Sequence, residues 1–309
     1  MTKVFIDGSA GTTGLRILER LEDREDIELI RLSEANRKDI SARKDAINRA
    51  DIVFLCLPDE AAIQSVSLCE NPDTVIIDTS TAHRTNSDWA YGFPELSKDF
   101  ETKIKNSKRI ANPGCHASGF IALIYPLIEK GILDENALLS CVSLTGYSGG
   151  GKKMIAEYEA EGRSSLLDAP RQYGLSQSHK HLPEMTAVTG IKNPPAFMPI
   201  VGDFYSGMEV TVPLFPEMLK GATAADIKNI YKNKYNGPIV KFVEDISENG
   251  FVSSNKLSFK DSMEISVSGN EDRILLIARY DNLGKGASGA ALQSMNIVMC
   301  TDVTKGLEI

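Results

Sequence analysis

The feature of this sequence that most limits its fold is a glycine-rich segment directly after the first predicted strand. Residues 4–7 are a short, mostly apolar segment that predicts a strand and ends in Asp7. Gly8, Gly11 and Gly14 follow in the spacing G-x-x-G-x-x-G. The chain then continues into an amphipathic stretch that predicts a helix over residues 12–21. Glycines permit a tight turn and a close backbone approach, and a helix N-terminus offers free N–H groups and a positive dipole end to an anion.

This order of strand, glycine segment and helix is typical of sites that bind the pyrophosphate of a dinucleotide. A plain strand-to-helix turn is the alternative, but the position directly after the first strand favours the nucleotide. The predicted pyrophosphate contacts are Gly8, Ser9, Gly11, Thr12, Thr13 and Gly14.

The rest of the first third alternates short β-branched runs with amphipathic stretches, which predicts βαβ units and a parallel sheet. Two of the runs, residues 53–57 and 75–77, are continuously apolar, as expected for strands covered by helices on both faces. The predicted strands are 4–7, 27–32, 52–57 and 74–78, and the predicted helices are 12–21, 39–49 and 58–69. We therefore predict a Rossmann-type, doubly wound α/β fold for this region.

After Ile110 the pattern changes to that of an α+β domain. A turn at residues 112–116 leads into an apolar helical stretch, and longer runs with antiparallel character follow. The predicted helices are 120–128 and 153–161, the predicted strands are 138–144, 208–214 and 263–267, and an apolar helix is predicted over 286–299.

Composition and charge exclude several classes of partner. The formal net charge is −8 and the isoelectric point is about 5.2, so the chain lacks the basic surplus that binding to a phosphate backbone needs. Every apolar run is broken well before the ~18 residues of a membrane span. We therefore expect no nucleic-acid or membrane partner and a cytoplasmic location.

One cysteine differs from the other four in its local sequence. Pro113-Gly114 predicts a turn directly before Cys115 and a helix begins directly after it, so the helix dipole would favour the thiolate of Cys115 as a nucleophile. A small capping residue is the alternative interpretation. The other cysteines have apolar neighbours and are predicted to be buried packing residues: Cys56, Cys69, Cys141 and Cys300.

A nucleophilic thiol needs a base, and two histidines lie close together in a polar loop. His179 and His181 are followed by Glu184, which could orient one of the rings. Metal binding is a competing use for such a pair, but no further ligands of recognisable spacing accompany them, and we predict no metal site.

A second glycine-rich turn, residues 147–153, also leads into a predicted helix. It is a second possible anion site, suited to a phosphorylated substrate or its acyl group. The alternative is a surface loop with solvated lysines.

The type of dinucleotide is left open by the local sequence. Glu34 lies 20 residues after Gly14, where an acidic residue would accept the ribose hydroxyls of NAD. Arg37 and Lys38 follow closely and could instead hold a 2′-phosphate.

Several motifs, taken in order, resemble those of N-acetyl-gamma-glutamyl-phosphate reductases of the short type, a family related to the aspartate-semialdehyde dehydrogenases. The resemblance covers nearly the whole chain. It rests on the first glycine segment, Leu57-Pro58, the segments at 78–84 and 91–96, Asn112-Pro113-Gly114-Cys115, the segments at 148–151 and 179–184, and the segment at 282–286.

The resemblance implies a role for each matching residue. Cys115 matches the family's nucleophile and His181 its general base, supported by Glu184. Positions on the substrate side are matched by Arg84, Ser148, Gly149, Tyr173 and His179. The family uses NADP, which favours Ser33, Arg37 and Lys38 over Glu34, and further cofactor contacts are implied at Pro58, Asn282, Lys285 and Gly286.

The implied activity is the NADPH-dependent reduction of N-acetylglutamyl 5-phosphate to the semialdehyde and phosphate, through a cysteine thioacyl intermediate, in arginine biosynthesis. The implied domains are 1–114, completed by 283–309, for NADP binding, and 115–282 for catalysis and assembly into a homodimer or homotetramer. Lys180 departs from the arginine often found in long-type enzymes. The alternatives are an aspartate-semialdehyde dehydrogenase and a non-catalytic dinucleotide sensor.

Overall fold

A computed structural model describes all residues, 1–309. The chain forms two compact units, the first made of Met1–Gly114 and Ala287–Leu307 and the second of Cys115–Gly286 and Glu308–Ile309. Each unit has its own sheet. No helix is long and apolar enough to cross a membrane.

The first unit is built on a six-stranded, fully parallel sheet. Its strand order is β2-β1-β3-β4-β6-β5. The strands are β1 (Thr2–Asp7), β2 (Ile27–Ile30), β3 (Ile52–Leu55), β4 (Val75–Asp78), β5 (Ala90–Tyr91) and β6 (Arg109–Ala111), and the helices are α1 (Thr12–Glu22), α2 (Ile40–Arg49), α3 (Asp59–Leu68) and α4 (Lys98–Asn106). This is the predicted Rossmann-type sheet.

The continuously apolar strands lie at the centre of this sheet and are buried on both faces, and this burial was predicted. Every residue of β3 and β4 is buried, because helices cover both faces. A late helix, α9 (Gly289–Val298), also contributes Leu292 and Met295 to the core of this unit. Residues far apart in sequence therefore complete one hydrophobic core.

The second unit has a seven-stranded mixed sheet in the order β11-β12-β13-β10-β7-β9-β8. The strands are β7 (Ser140–Gly146), β8 (Arg171–Gln172), β9 (Ala196–Gly202), β10 (Met208–Leu214), β11 (Val240–Phe242), β12 (Met263–Gly269) and β13 (Ile274–Tyr280), and the helices are α5 (Cys115–Glu129), α6 (Gly151–Tyr158), α7 (Leu182–Thr189) and α8 (Ala224–Lys234). The predicted α+β character of this region is confirmed.

The C-terminal helix and three of the cysteines differ from the sequence predictions. The apolar segment predicted as a helix over 286–299 is a π-helical turn over Gly284–Ser288 followed by α9. The prediction that Cys300 is buried is wrong, because α9 ends at Val298 and the chain turns outward, leaving Cys300 exposed. Of the other cysteines predicted to pack in the interior, Cys141 is buried, while Cys56 and Cys69 are half-buried at the edges of the core.

Candidate active site

The glycine segment of the first unit has the geometry that a pyrophosphate needs. Gly8 has a φ of +89°, and a Cβ at this position would lie 2.3 Å from the carbonyl oxygen of Cys56. A Cβ on Gly14 would lie 2.5 Å from the carbonyl oxygen of Gly8. Gly11 is the N-cap of α1 and no side chain caps this helix, so its first N–H groups have no intrahelical acceptor.

A cleft of about 610 Å³ opens beside this segment, within the size range of small-molecule sites. Its basic residues include Arg31, which is paired with Glu22 at 2.8 Å. Glu34 and Arg37 form an ion pair of 2.6 Å on the same wall, next to Lys38. The cleft is lined, among others, by Gly8, Ser9, Arg31, Leu32, Glu34, Arg37, Lys38 and Leu57. The residues present therefore fit a phosphate-bearing dinucleotide.

The other predicted residues of the first unit have varied positions. Thr12 and Thr13 form the first turn of α1. Ser33 is exposed and accepts backbone N–H groups from Asn36 and Arg37 through its carbonyl oxygen, which shapes the turn at this wall. Pro58 is an exposed residue at the N-terminus of α3.

Arg84 is buried near the carboxyl ends of two strands of the first unit. Its Nε donates to the carbonyl oxygen of Asn112 at 2.9 Å, and its Nη2 donates to that of Thr79, also at 2.9 Å. Thr79 follows β4 and Asn112 follows β6. The guanidinium group is thus held by the backbone at the edge where parallel α/β sheets bind ligands.

Cys115 is the first residue of α5, and its helix turn contains an inserted side chain. The hydroxyl of Tyr280 donates to the carbonyl oxygen of Cys115 at 2.5 Å and accepts the N–H of Gly119 at 3.0 Å. These are the two groups that would otherwise bond to each other as i and i+4. A Cβ on Gly119 would lie 2.7 Å from this hydroxyl, and a Cβ on Gly286 would lie 3.1 Å from Cβ of Cys115. Both glycines leave room beside the backbone of Cys115.

Aromatic rings cluster beside the start of α5. The ring centroid of His116 lies 5.7 Å from that of His179 and 5.6 Å from that of His181. The centroids of His179 and His181 are 4.8 Å apart. Tyr173 and Phe197 complete the cluster. The structure has no group of three or more His, Cys, Asp or Glu side chains placed to hold a metal ion.

His116 is buried and hydrogen-bonded at both ring nitrogens. Its Nδ1 lies 2.6 Å from the hydroxyl oxygen of Ser143, and its Nε2 lies 2.7 Å from that of Tyr173. Burial, followed by the positive charges of His179 and Lys180, lowers the pKa of His116 to about 3. The ring is therefore neutral at physiological pH.

The predicted base and its acidic neighbour are both buried at the start of α7. His181 is the N-cap residue of this helix and Glu184 lies in its first turn, 4% and 1% exposed respectively.

Burial raises the pKa of Tyr173, and the negative charge of Cys115 raises it further. Tyr173 therefore lies within electrostatic reach of the sulfur.

The segment at 281–286 is fixed by a buried carboxylate. Asp281 accepts the backbone N–H groups of Leu283 and Gly284 at 2.7 and 2.8 Å, and its other oxygen accepts the hydroxyl of Ser206 at 2.6 Å. This loop carries Lys285, which is buried.

Asn282 connects that segment to the second glycine-rich turn. Its Nδ2 donates to the hydroxyl of Ser148 at 3.0 Å, and its Oδ1 accepts the N–H of Gly207 at 2.9 Å. Ser148 is buried and Gly149 is exposed. The structure thus brings together two segments that the sequence analysis had grouped only by resemblance.

Sequence reasoning missed four residues around Cys115. Tyr280 and Asp281 stand at the end of an ordinary apolar strand, and Ser143 lies within another strand, so no local pattern marks them. His116 had one signal, its position next to the predicted nucleophile.

Comparison with known proteins agrees with this geometry. Residues 3–104 match the model of a semialdehyde dehydrogenase NAD binding domain, and residues 115–282 match that of a semialdehyde dehydrogenase dimerisation domain. N-acetyl-gamma-glutamyl-phosphate reductases of Brucella ovis and Brucella canis are each 44% identical over 305 residues, covering 96% of this chain and 98% of theirs. The chain belongs to the N-acetyl-gamma-glutamyl-phosphate reductase family.

Members of a related group have the same fold at low sequence identity. An aspartate semialdehyde dehydrogenase II of Vibrio cholerae has a TM-score of 0.71 and 17% identity, covering 97% of this chain and 98% of that one. The enzyme of Candida albicans, solved with NADP, has a TM-score of 0.68 and 14% identity, covering 98% and 99%. This chain therefore shares its fold with these aspartate semialdehyde dehydrogenases.

Proposed function

We propose that this protein reduces N-acetyl-L-glutamyl 5-phosphate to N-acetyl-L-glutamate 5-semialdehyde and phosphate with NADPH, a step of arginine biosynthesis. The observation that carries the proposal is Cys115 at the start of α5, in one unit with the buried pair His181 and Glu184. The identity to the Brucella reductases over nearly the full length supports the substrate.

The proposed chemistry begins at the Cys115 thiol. His181 takes its proton, the sulfur bonds to the acyl carbon, and the bond from that carbon to the phosphate oxygen breaks, which leaves a thioester on Cys115. NADPH, when bound, supplies the hydride that reduces this thioester. The resulting oxyanion re-forms the carbonyl as the carbon–sulfur bond breaks, which releases the semialdehyde, and His181 returns its proton to the sulfur of Cys115.

The remaining predicted residues are proposed to hold the substrate. Tyr173 and His179 flank the ring cluster beside Cys115, and Ser148 and Gly149 lie on the turn that Asn282 fixes. Backbone N–H groups at the start of α5 would stabilise the oxyanion. Arg84 would add a positive charge for the acidic substrate.

We propose NADP(H) rather than NAD(H) as the cofactor. Glycines 8, 11 and 14 would hold its pyrophosphate, and Arg37 and Lys38 on the cleft wall would hold its 2′-phosphate. Glu34, the acidic residue that would suit an NAD ribose, is already paired with Arg37. Ser33, Thr12, Thr13, Pro58, Lys285 and Gly286 are further proposed contacts. Arg37→Ala should raise the KM for NADPH about 10-fold or more and leave that for NADH unchanged.

The two domains implied by the family resemblance would have separate roles. Residues 1–114, with the C-terminal segment 283–309, would bind NADP, and residues 115–282 would carry catalysis and assembly. The outward positions of β7 and β9 include Val142, Leu144, Met198 and Ile200, which are only half-buried. This apolar sheet face would pack against a second copy in a homodimer or homotetramer.

The deciding experiment follows NADPH absorbance while the chain oxidises N-acetylglutamate semialdehyde with NADP, with and without added phosphate. Phosphate-dependent NADPH formation is the expected result. Signal only with aspartate semialdehyde would transfer the protein to that activity. Silence with both aldehydes would favour a dinucleotide sensor.

A second experiment tests the roles of the thiol and its base. Cys115 should react with iodoacetamide faster than Cys300, which is exposed and serves as an internal reference. His181→Asn should lower kcat by about 10²-fold. A pH–rate profile unchanged in this variant would contradict the proposed acid–base role.

A further inference from the structure

Ser143, His116 and Tyr173 form a linear chain of hydrogen bonds whose direction can be deduced. Ser143 is 0% exposed, and its hydroxyl has one hydrogen-bond partner, Nδ1 of His116, at 2.6 Å. A buried hydroxyl proton needs an acceptor, because a polar group left without a hydrogen bond in the interior destabilises the fold. Ser143 therefore donates to Nδ1, which must be the unprotonated nitrogen of the ring.

The state of the second nitrogen follows from the first. The ring is neutral because its pKa is far below physiological pH, and a neutral imidazole carries one proton. With Nδ1 as acceptor, that proton is on Nε2, which donates to the hydroxyl oxygen of Tyr173 at 2.7 Å. The Tyr173 hydroxyl is then an acceptor from His116, and its own proton points elsewhere.

The direction of this proton matters because of what lies near Tyr173. Cys115 directly precedes His116 in the chain, and its negative charge acts on the phenol of Tyr173. The titratable groups that act on His116 are His179 and Lys180, and its other ring neighbours are Tyr173, His181 and Phe197. None of the other groups is hydrogen-bonded to the Tyr173 hydroxyl, which accepts only from Nε2 of His116.

We infer that His116 is a positioning residue: held by Ser143 with its proton on Nε2, it turns the Tyr173 hydroxyl proton toward Cys115, where this proton stabilises the thiolate. The inference rests on the proposed role of Cys115 as nucleophile and adds to it the groups that set its reactivity. A hydroxyl that accepts from one side and donates on the other is polarised in one direction, which a freely rotating hydroxyl is not. Ser143 and His116 would thus act on the sulfur without touching it.

The test is the pH dependence of Cys115 alkylation by iodoacetamide, followed by mass spectrometry, which needs no substrate. Tyr173→Phe removes the donor and should raise the apparent pKa of Cys115 by about 1 unit, which slows alkylation about 10-fold below that pKa. His116→Leu should give a shift in the same direction, and His116→Gln, which keeps an N–H donor, should restore most of it. An unchanged Cys115 titration in Tyr173→Phe would overturn the inference.

A double variant separates positioning from simple packing. In the Tyr173→Phe background, His116→Leu should cause no further shift, because the hydroxyl through which it acts is gone. Phe197→Leu is the matched control, since Phe197 packs against the rings of His116 and His179 at 5.3 and 5.1 Å but carries no proton to donate. If the double variant shifts as much as the sum of the two, His116 acts by another route.

Nitrogen NMR of the His116 ring tests the deduction directly in the unmodified chain. We expect an unprotonated, pyridine-type signal for Nδ1 and a protonated, pyrrole-type signal for Nε2 between about pH 6 and pH 8. The reverse assignment would refute the deduced direction. Neither this spectrum nor the alkylation depends on which acyl phosphate is the substrate, so a wrong substrate would leave both results intact.

Discussion

We propose that the first turns of α1 and α5 both present backbone groups to a ligand, and the two turns are built in different ways. At α1 the glycine segment 8–14 supplies the backbone N–H groups, and no side chain caps the helix. At α5 a side chain from residue 280 lies inside the first turn, between the carbonyl of Cys115 and the N–H of Gly119. The first region is a backbone site contained in one segment, whereas the second is a side-chain site assembled from residues far apart in the sequence.

The largest effect that would separate the two regions comes from one atom. Cys115→Ser replaces the sulfur by a hydroxyl oxygen, a much poorer nucleophile at neutral pH, and turnover should fall by about 10⁴-fold or more. Binding of NADPH, measured by fluorescence titration, should stay unchanged because the backbone site at α1 is untouched. Loss of turnover together with loss of NADPH binding would mean that Cys115 has a structural role.

The converse change acts on the backbone site. Gly8→Ala places a Cβ 2.3 Å from the carbonyl oxygen of Cys56 at a φ of +89°, so the segment must move. We expect the affinity for NADPH to fall about 10-fold or more and the free energy of unfolding to fall by about 1–3 kcal/mol. Alkylation of Cys115 should keep its rate.

Ser9→Ala is the matched control for this variant, since it lies in the same segment but removes only a side chain. If NADPH is held by the backbone, its affinity should change by less than about 3-fold. An equal loss in both variants would show that side chains, and not backbone geometry, define the site.

The same contrast explains how much the sequence could predict. The glycine segment, its following helix and the central strands β3 and β4 were predicted correctly because each is determined by neighbouring residues. Cys115 and His181 also stood out locally. Tyr280 and Asp281 did not, because their roles arise only when β13 is placed beside α5 and the loop folds back onto the carboxylate.

Tyr280→Phe tests whether the inserted hydroxyl positions Cys115, the proposed nucleophile. Without the hydroxyl, the carbonyl of Cys115 and the N–H of Gly119 must either form a hydrogen bond with each other or remain unsatisfied. This should lower the free energy of unfolding by about 1–3 kcal/mol. We also expect kcat to fall about 10-fold, since small displacements of reacting groups are costly. The KM for NADPH should not change.

Tyr235→Phe provides the comparison, because its hydroxyl also donates to a backbone carbonyl of α5, that of Ala122, at 2.6 Å. It should lose similar stability in denaturant unfolding while keeping its kcat. A parallel fall of kcat in both variants would attribute the effect of Tyr280 to the stability of α5 as a whole.

The smallest expected effect concerns the buried imidazole of the side-chain site. The pKa of His116 is lowered to about 3 in the folded chain, against about 6.5 in the unfolded chain. Between these values the unfolded state binds the extra proton, so stability rises with pH in this window and is lost as the pH falls below about 6.5. From about pH 7 to about pH 5 the loss from this group should be about 2 kcal/mol.

Urea unfolding at the two pH values would measure this loss, and His116→Gln, which does not titrate, should reduce the difference by that amount. The backbone site at α1 contains no histidine, so Gly8→Ala should leave the pH dependence of unfolding as it is in the parent chain. If His116→Gln kept the full pH dependence, the folded ring would be able to take up a proton, and the neutral state from which the direction of the Tyr173 proton was deduced would be wrong.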